Sequence, residues 1–201
     1  ETPFRSQQIA ALSRLLVERG RVPVLIPTDR SEAARASHAQ LLRYRAEATI
    51  VLSGMPPRTF LDLAQRNGQP IIAVGRNEEG PDHIRLNNVR AAETAVQIFA
   101  ARGFRRIGLI TSNAGSPNLV EREQAYVRHA GEQGLEVAVG RAERTDYAGG
   151  GLAASLLFAA PERIEGVFCV NDLMAFGLMD YARNMLGLSI PADLSVIGFD
   201  D

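Results

Sequence analysis

The chain has 201 residues, 46% of them hydrophobic and 22% charged, and a formal net charge of -1. That is enough chain for one large or two small globular domains. Its near-neutral charge argues against this stretch alone gripping a phosphate backbone, which wants a basic face, and no apolar run approaches the roughly 18 residues of a membrane helix. The single cysteine, Cys169, excludes an internal disulfide; set in an apolar stretch, it reads as a buried structural thiol rather than a nucleophile. The N-terminal ETPFRSQQIAALS lacks the basic start and apolar run of a signal peptide.

The predicted elements alternate in type. Phe4, Ile9, Leu12, Leu15 and Leu16 recur at helical spacing, which predicts a helix over 3–18 with Thr2 as N-cap, Pro3 in the first turn and Gly20 at its end. A strand over 22–27, a helix over 31–45, a strand over 48–53 and a helix over 57–67 follow. Strands over 70–75 and 84–86 complete the first half, with the polar, linker-like stretch 77–83 between them. In the second half a helix over 89–102 stops at Gly103 and leads to a strand over 106–111. A helix over 119–133 stops at Gly134 before a strand over 135–139. A helix over 148–159, a strand over 166–170, a helix over 172–186 and a strand over 194–199 finish the chain.

Short apolar strands alternating with amphipathic helices indicate right-handed βαβ units and parallel sheets covered on both faces, an α/β fold. A division near Asn87 gives two parts, 1–87 and 88–201. The chain opens on a helix and closes on a strand, so a leading strand and a C-terminal segment are expected beyond it.

Ligands of open parallel sheets bind beyond the carboxyl ends of the strands, and that rule sorts the polar residues by edge. Asn171 and Asp172 follow the strand over 166–170, and Asp200 and Asp201 follow the strand over 194–199. Arg122 opens the helix after the strand over 106–111, while Asp146 and Tyr147 open the helix after the strand over 135–139. A guanidinium, an amide, a carboxylate and an aromatic ring on one edge suit a small polyhydroxylated ligand: the polar groups exchange hydrogen bonds with hydroxyls, and the ring covers apolar C–H patches. Other roles compete. Asp172, Asn171 and Asp146 are good helix caps, Arg122 between Glu121 and Glu123 reads equally as a solvated helix residue, Tyr147 as ordinary packing and Phe168 as core. Asp200 is harder to dismiss, because a carboxylate at the end of a buried strand needs a partner. Ser53, in LSGMPP at a strand end, is either a loop residue lining the site or structural.

On these residues the sequence resembles a known family. VFCVNDLMAFGLMDYARNMLGLSIPADLSVIGFDD, over 167–201, is similar to the effector-binding domain of LacI/GalR-type transcriptional regulators. The likeness lies in the Asn-Asp pair after a strand, the helix that follows, the Gly-Leu-x-Ile-Pro-x-Asp-Leu-Ser-Val run and Gly-Phe-Asp-Asp. TPFRSQQIAALSRLLVERG resembles the first helix of that domain, PIIAVGR the strand before the crossover, and IRLNNVRAAETAVQIFAARGFRRIGLIT the crossover strand, helix and next strand. EREQAY lies where the family has Arg-x-x-Gly-Phe, so the likeness covers all 201 residues. The chain departs from the pattern at Asn87, Ala91, Ala92, Phe104 and Ala125.

The resemblance implies a periplasmic-binding-protein-like type I fold, with two doubly wound parallel-sheet subdomains and a ligand cleft between them. It implies a cytoplasmic homodimer that binds a small sugar or related metabolite, and operator DNA through an upstream helix-turn-helix absent from this sequence. No membrane, cofactor or metal is implied. Carried over by position, Arg122, Asn171 and Asp200 would hydrogen-bond the effector, Tyr147 would stack on it, and Phe168 lies on a strand that can line the cleft. The alternative is a periplasmic sugar-binding protein of a transporter. An enzyme is disfavoured: no Gly-x-Gly-x-x-Gly follows an early strand, there is no Walker loop or Gly-x-Ser-x-Gly, and His38, His83 and His129 lack metal-ligand spacing.

Overall fold

The structure, a computed structural model, describes residues 3–26, 46–52, 58–75 and 82–200. The chain divides into two compact units, Glu1–Leu86 and Asn87–Asp201.

In the first unit, helix α1 spans Pro3–Glu18 and α2 spans Arg58–Arg66. Strands β1 (Thr49–Val51), β2 (Ile71–Val74) and β3 (Asp82–Ile84) pair in parallel in the order β1-β2-β3. The pattern of α2 shows why it docks: Phe60 and Ala64, one turn apart, share a face and cluster with Ile71 of β2. The strand expected over 22–27 is not formed within its described residues: Val22 is 88% exposed, and Val24 and Leu25 are exposed as well. The apolar run suits a strand, but a strand exists only within a ladder, and the ladder among the described residues runs β1-β2-β3. The helix expected over 31–45 lies outside the described residues.

In the second unit, α3 (Asn88–Ala101), β4 (Arg106–Ser112), α4 (Pro117–Glu132), β5 (Glu136–Ala142), α5 (Tyr147–Leu157), β6 (Gly166–Cys169), α6 (Asp172–Leu186) and β7 (Ser195–Ile197) alternate as expected. All its pairings are parallel and the strand order is β5-β4-β6-β7. From β4 the chain steps outward to β5, then crosses back over β4 to β6. That reversal makes a switch point between β4 and β6, where neighbouring loops diverge and leave a crevice. The burial pattern follows from coverage on both faces: β6 is buried along its whole length, and six of the seven residues of β4 are buried. Phe99 from α3, Tyr126 from α4, Leu157 from α5 and Met174 and Leu178 from α6 close over Ile107, Leu109, Val167 and Phe168. The hydroxyl of Tyr126 donates to the Gly108 carbonyl at 3.0 Å, so the buried phenol is satisfied. Cys169 is free and fully buried, and burial pushes its thiol far above the ordinary range, as a structural thiol requires.

Candidate functional site

The carboxyl edge of the second sheet is organised around Arg122. It sits in the second turn of α4 and is 5% exposed, which removes the reading of a solvated helix residue. Its Nε–H donates to Asn88 Oδ1 at 2.8 Å, and Nη1 donates to the Val170 carbonyl just past the end of β6. The guanidinium carbon stands 3.6 Å from the centroid of the Phe199 ring, a cation–π arrangement in a desolvated place. One side chain from the helix after β4 thus reaches the end of β6 and the residues after β7. It spans the switch point.

Burial lowers the affinity of this arginine for its proton to a pKa of about 10, against the opposing pull of Asp200 and then Glu121. The guanidinium is still cationic at neutral pH, so it is a buried positive charge held between carboxylates. Asp200, one of those two, has a backbone φ of 140°, in a region L-residues rarely adopt. Such strain costs about 1–3 kcal/mol and persists where the surroundings impose it. The two polar blocks at the end of the chain are locked together. The Asp172 amide donates to the Phe199 carbonyl at 2.9 Å, and a Cβ on Gly198 would fall on the Asp172 carboxylate. Gly198 leaves room for the Asp172 carboxylate in the place it occupies.

Asn171 is the N-cap of α6: its Oδ1 accepts from the Met174 amide at 2.9 Å, and its Nδ2 donates to the Thr145 carbonyl at 2.8 Å. Both ends of the amide are committed to backbone, so the capping role belongs to Asn171, and Asp172 is the first helical residue. Asp146 caps α5 through the Gly149 amide at 2.9 Å. Tyr147 is half exposed and donates its hydroxyl to Asp180, two turns into α6. The same contact raises its phenol pKa. Phe168 is 1% exposed and stacked on Tyr126 with ring centroids 5.3 Å apart, so its position in β6 makes it core rather than lining. Ser53 and Asp201 lie outside the described residues. The structure therefore brings Arg122 and Asp200 together and gives Asn171, Tyr147 and Phe168 other partners.

Sequence reasoning missed two members of the cluster. Asn88, the first residue of α3, is 2% exposed and binds Arg122 directly. Phe199, the residue before Asp200, lies under the guanidinium. Phe199 had a signal, since the last residue of the strand expected over 194–199 shares the edge of the carboxylate that follows it; Asn88 looked like a helix start and nothing more. An ion pair lies next along α4: Arg141 of β5 makes a forked contact with the Glu123 carboxylate, which also accepts from Thr111 at 3.3 Å. Among the described residues no three His, Cys, Asp or Glu side chains gather as metal ligands, and no helix is long and apolar enough to cross a membrane. The arrangement suits recognition: one guanidinium set against carboxylates gives paired donors and acceptors without net positive charge.

Residues 96–201 match the family described as the periplasmic binding protein-like domain. The chain is 34% identical over 143 residues to the HTH-type transcriptional repressor CytR of Escherichia coli (strain K12), an alignment that covers 68% of this chain and 41% of that protein. The chain thus spans under half of that relative's length. Among solved structures it superposes on a LacI transcriptional regulator from a Rhodococcus species with a TM-score of 0.87 and 27% identity, over 100% of this chain and 75% of that one. It also superposes on a transcriptional regulator CelR–cellobiose complex with a TM-score of 0.81 and 25% identity, over 99% of this chain and 62% of that one.

Proposed function

Because this chain belongs to the periplasmic binding protein-like domain family, in the form that LacI/GalR-type regulators carry, we propose that it is the effector-sensing part of a transcriptional regulator. Its ligand is a small, neutral, polyhydroxylated molecule bound at the carboxyl edge of the second sheet. The observation that carries this reading is Arg122, buried across the switch point with Asp200 and Phe199 around it. A buried cation held by a strained carboxylate neighbour is costly as mere structure, and recognition explains its retention. Asp200 and Arg122 contact the ligand; Asn171 builds the edge on which they stand. The balance of charge favours a sugar over a sugar phosphate, since carboxylates beside the arginine repel an anion.

Regulation follows by population shift: the ligand favours one arrangement of the subdomains 1–87 and 88–201, and only its differential affinity moves the equilibrium. A DNA-binding segment outside this sequence reads that arrangement at the operator, in a cytoplasmic homodimer. The relatives compared above are regulators, which favours this reading over a transport protein and over an enzyme. A thermal-shift screen of the complete protein against monosaccharides, disaccharides, sugar phosphates and nucleosides tests it. Mass action raises the melting temperature by native-state binding, so a dose-dependent rise with a neutral sugar, lost in Asp200→Ala, is the expected result. A response to sugar phosphates alone, or a full response in Asp200→Ala, refutes it.

A further inference from the structure

Asn88 is where the second unit begins its first helix, one residue after the backbone passes Asn87. Its side chain is buried and satisfied at both ends. Oδ1 accepts from Arg122 Nε at 2.8 Å, while Nδ2 donates to Glu121 Oε2 at 2.8 Å and lies 3.5 Å from Asn118 Oδ1. The guanidinium can only donate and the carboxylate can only accept, so the two neighbours fix which way the amide points. An aspartate there would set a second carboxylate against Glu121, and a leucine would leave the Nε–H with no acceptor. An amide of this length answers both.

We propose that Asn88 is a positioning residue for ligand recognition: it sets the orientation of the Arg122 guanidinium at the switch point and ties ligand engagement there to the first turn of α3. This rests on the reading of the carboxyl edge as the ligand site. The Val170 carbonyl holds Nη1 and the Phe199 ring holds the plane; the Asn88 bond is the one that holds Nε. An arginine carries several soft torsions, and a guanidinium already locked in its binding orientation loses less freedom when a ligand arrives. Asn88 is also the only one of these three partners on α3, the helix that follows the boundary between the units.

The test has a structural arm and a binding arm, both on the complete protein. In the first, hydrogen exchange of the Arg122 Nε–H is followed by nitrogen-15 NMR in wild type, Asn88→Leu and Asn88→Asp. Protection is expected to fall about tenfold or more in Asn88→Leu and to persist in Asn88→Asp, which keeps the acceptor. In the second, D-ribose, D-galactose, cellobiose and adenosine are titrated against the same variants alone and in an Arg122→Lys background, where no Nε–H remains. Asn88→Leu alone is expected to weaken the probe that binds by about tenfold, Asn88→Asp by less, and Asn88→Leu by under about twofold on top of Arg122→Lys. Unchanged protection in Asn88→Leu, or losses that add in full, overturn the role of Asn88. A wild-type protein that binds no probe overturns the sensing reading instead, and the Nε–H protection still judges the orienting bond.

Discussion

The two faces of the second sheet are built by different means. On one, α3 and α4 bring Asn88, Glu121, Arg122 and Glu123 to the strand ends, and side-chain hydrogen bonds join the elements. On the other, α5 and α6 approach until backbone meets backbone: a Cβ on Gly150 would land on the Met174 carbonyl, and one on Gly177 on the Tyr147 carbonyl. The outer side of that second pair is apolar, with Leu152, Leu156 and Phe176 exposed. One face is specified by polar geometry and the other by volume. Substitutions should therefore divide in the same way, with changes of size on α5 and α6 felt in stability, and changes of polarity on α3 and α4 felt in recognition.

The largest effect is expected where volume rules. Gly177→Ala gains about 1 kcal/mol of helix propensity, yet its methyl has nowhere to go, because the obstructing atoms are backbone and cannot rotate aside. A forced separation of packed helices costs about 1–3 kcal/mol or more. Because backbone already meets backbone here, the cost lies at or above the top of that range, and the net expectation is a loss of about 2–3 kcal/mol, read as a lower urea midpoint with an unchanged slope. A variant at least as stable as wild type would mean the helices part freely and that volume does not specify this face.

A smaller effect sharpens the line between the faces at Asn171, which caps α6 and also holds the loop ahead of α5 through Thr145. Asn171→Ala removes a cap and leaves a carbonyl without its donor, a loss of about 1.5–2 kcal/mol. Asn171→Asp keeps the cap but sets a carboxylate oxygen against the Thr145 carbonyl, so it should also fall below wild type in a urea titration. Equal stability of Asn171→Asp and wild type would show that the Thr145 bond adds nothing.

How far all this was legible depends on whether the information was local. The second unit was readable element by element, because Gly103, Gly134 and the caps Asp146 and Asn171 are local signals; α6 matches its expected bounds of 172–186. The edge rule then pointed to the strand ends where Arg122 reaches the Val170 carbonyl and Asp200 follows β7. It could not say which way a side chain turns. Tyr147 and Phe168 have the right chemistry near the right edge, but Asp180 holds one and Tyr126 stacks on the other. Both partners are set by tertiary packing. Asn88 shows the converse, since its partners on α4 lie 30 to 34 residues along the chain and no local pattern announces them. The strand expected over 22–27 is not formed within its described residues for a related reason: an apolar run proposes a strand, and only a neighbour makes one.

The smallest effect concerns the Glu123–Arg141 pair, and pH is the variable that isolates it. The hydrogen bond from Arg141 holds the Glu123 carboxyl below its ordinary value of 4.5, against the upward push of burial and with help from the charge of Arg141 and the Thr111 hydroxyl. A carboxyl whose folded pKa is depressed binds its proton more readily in the unfolded chain. Its stabilising contribution is therefore complete above the unfolded value and is lost as pH falls through the folded one. Both partners keep substantial contact with water, so the pair is worth only about 0.5–1 kcal/mol at neutral pH. Glu123→Gln should be less stable than wild type by that amount at pH 7, and the gap should close steadily in acid as wild type loses the same charge. Urea unfolding of both proteins across that range checks it. A gap of constant size would assign the loss to packing rather than to charge, and the polar face would then owe less to electrostatics than the Arg122 cluster beside it implies.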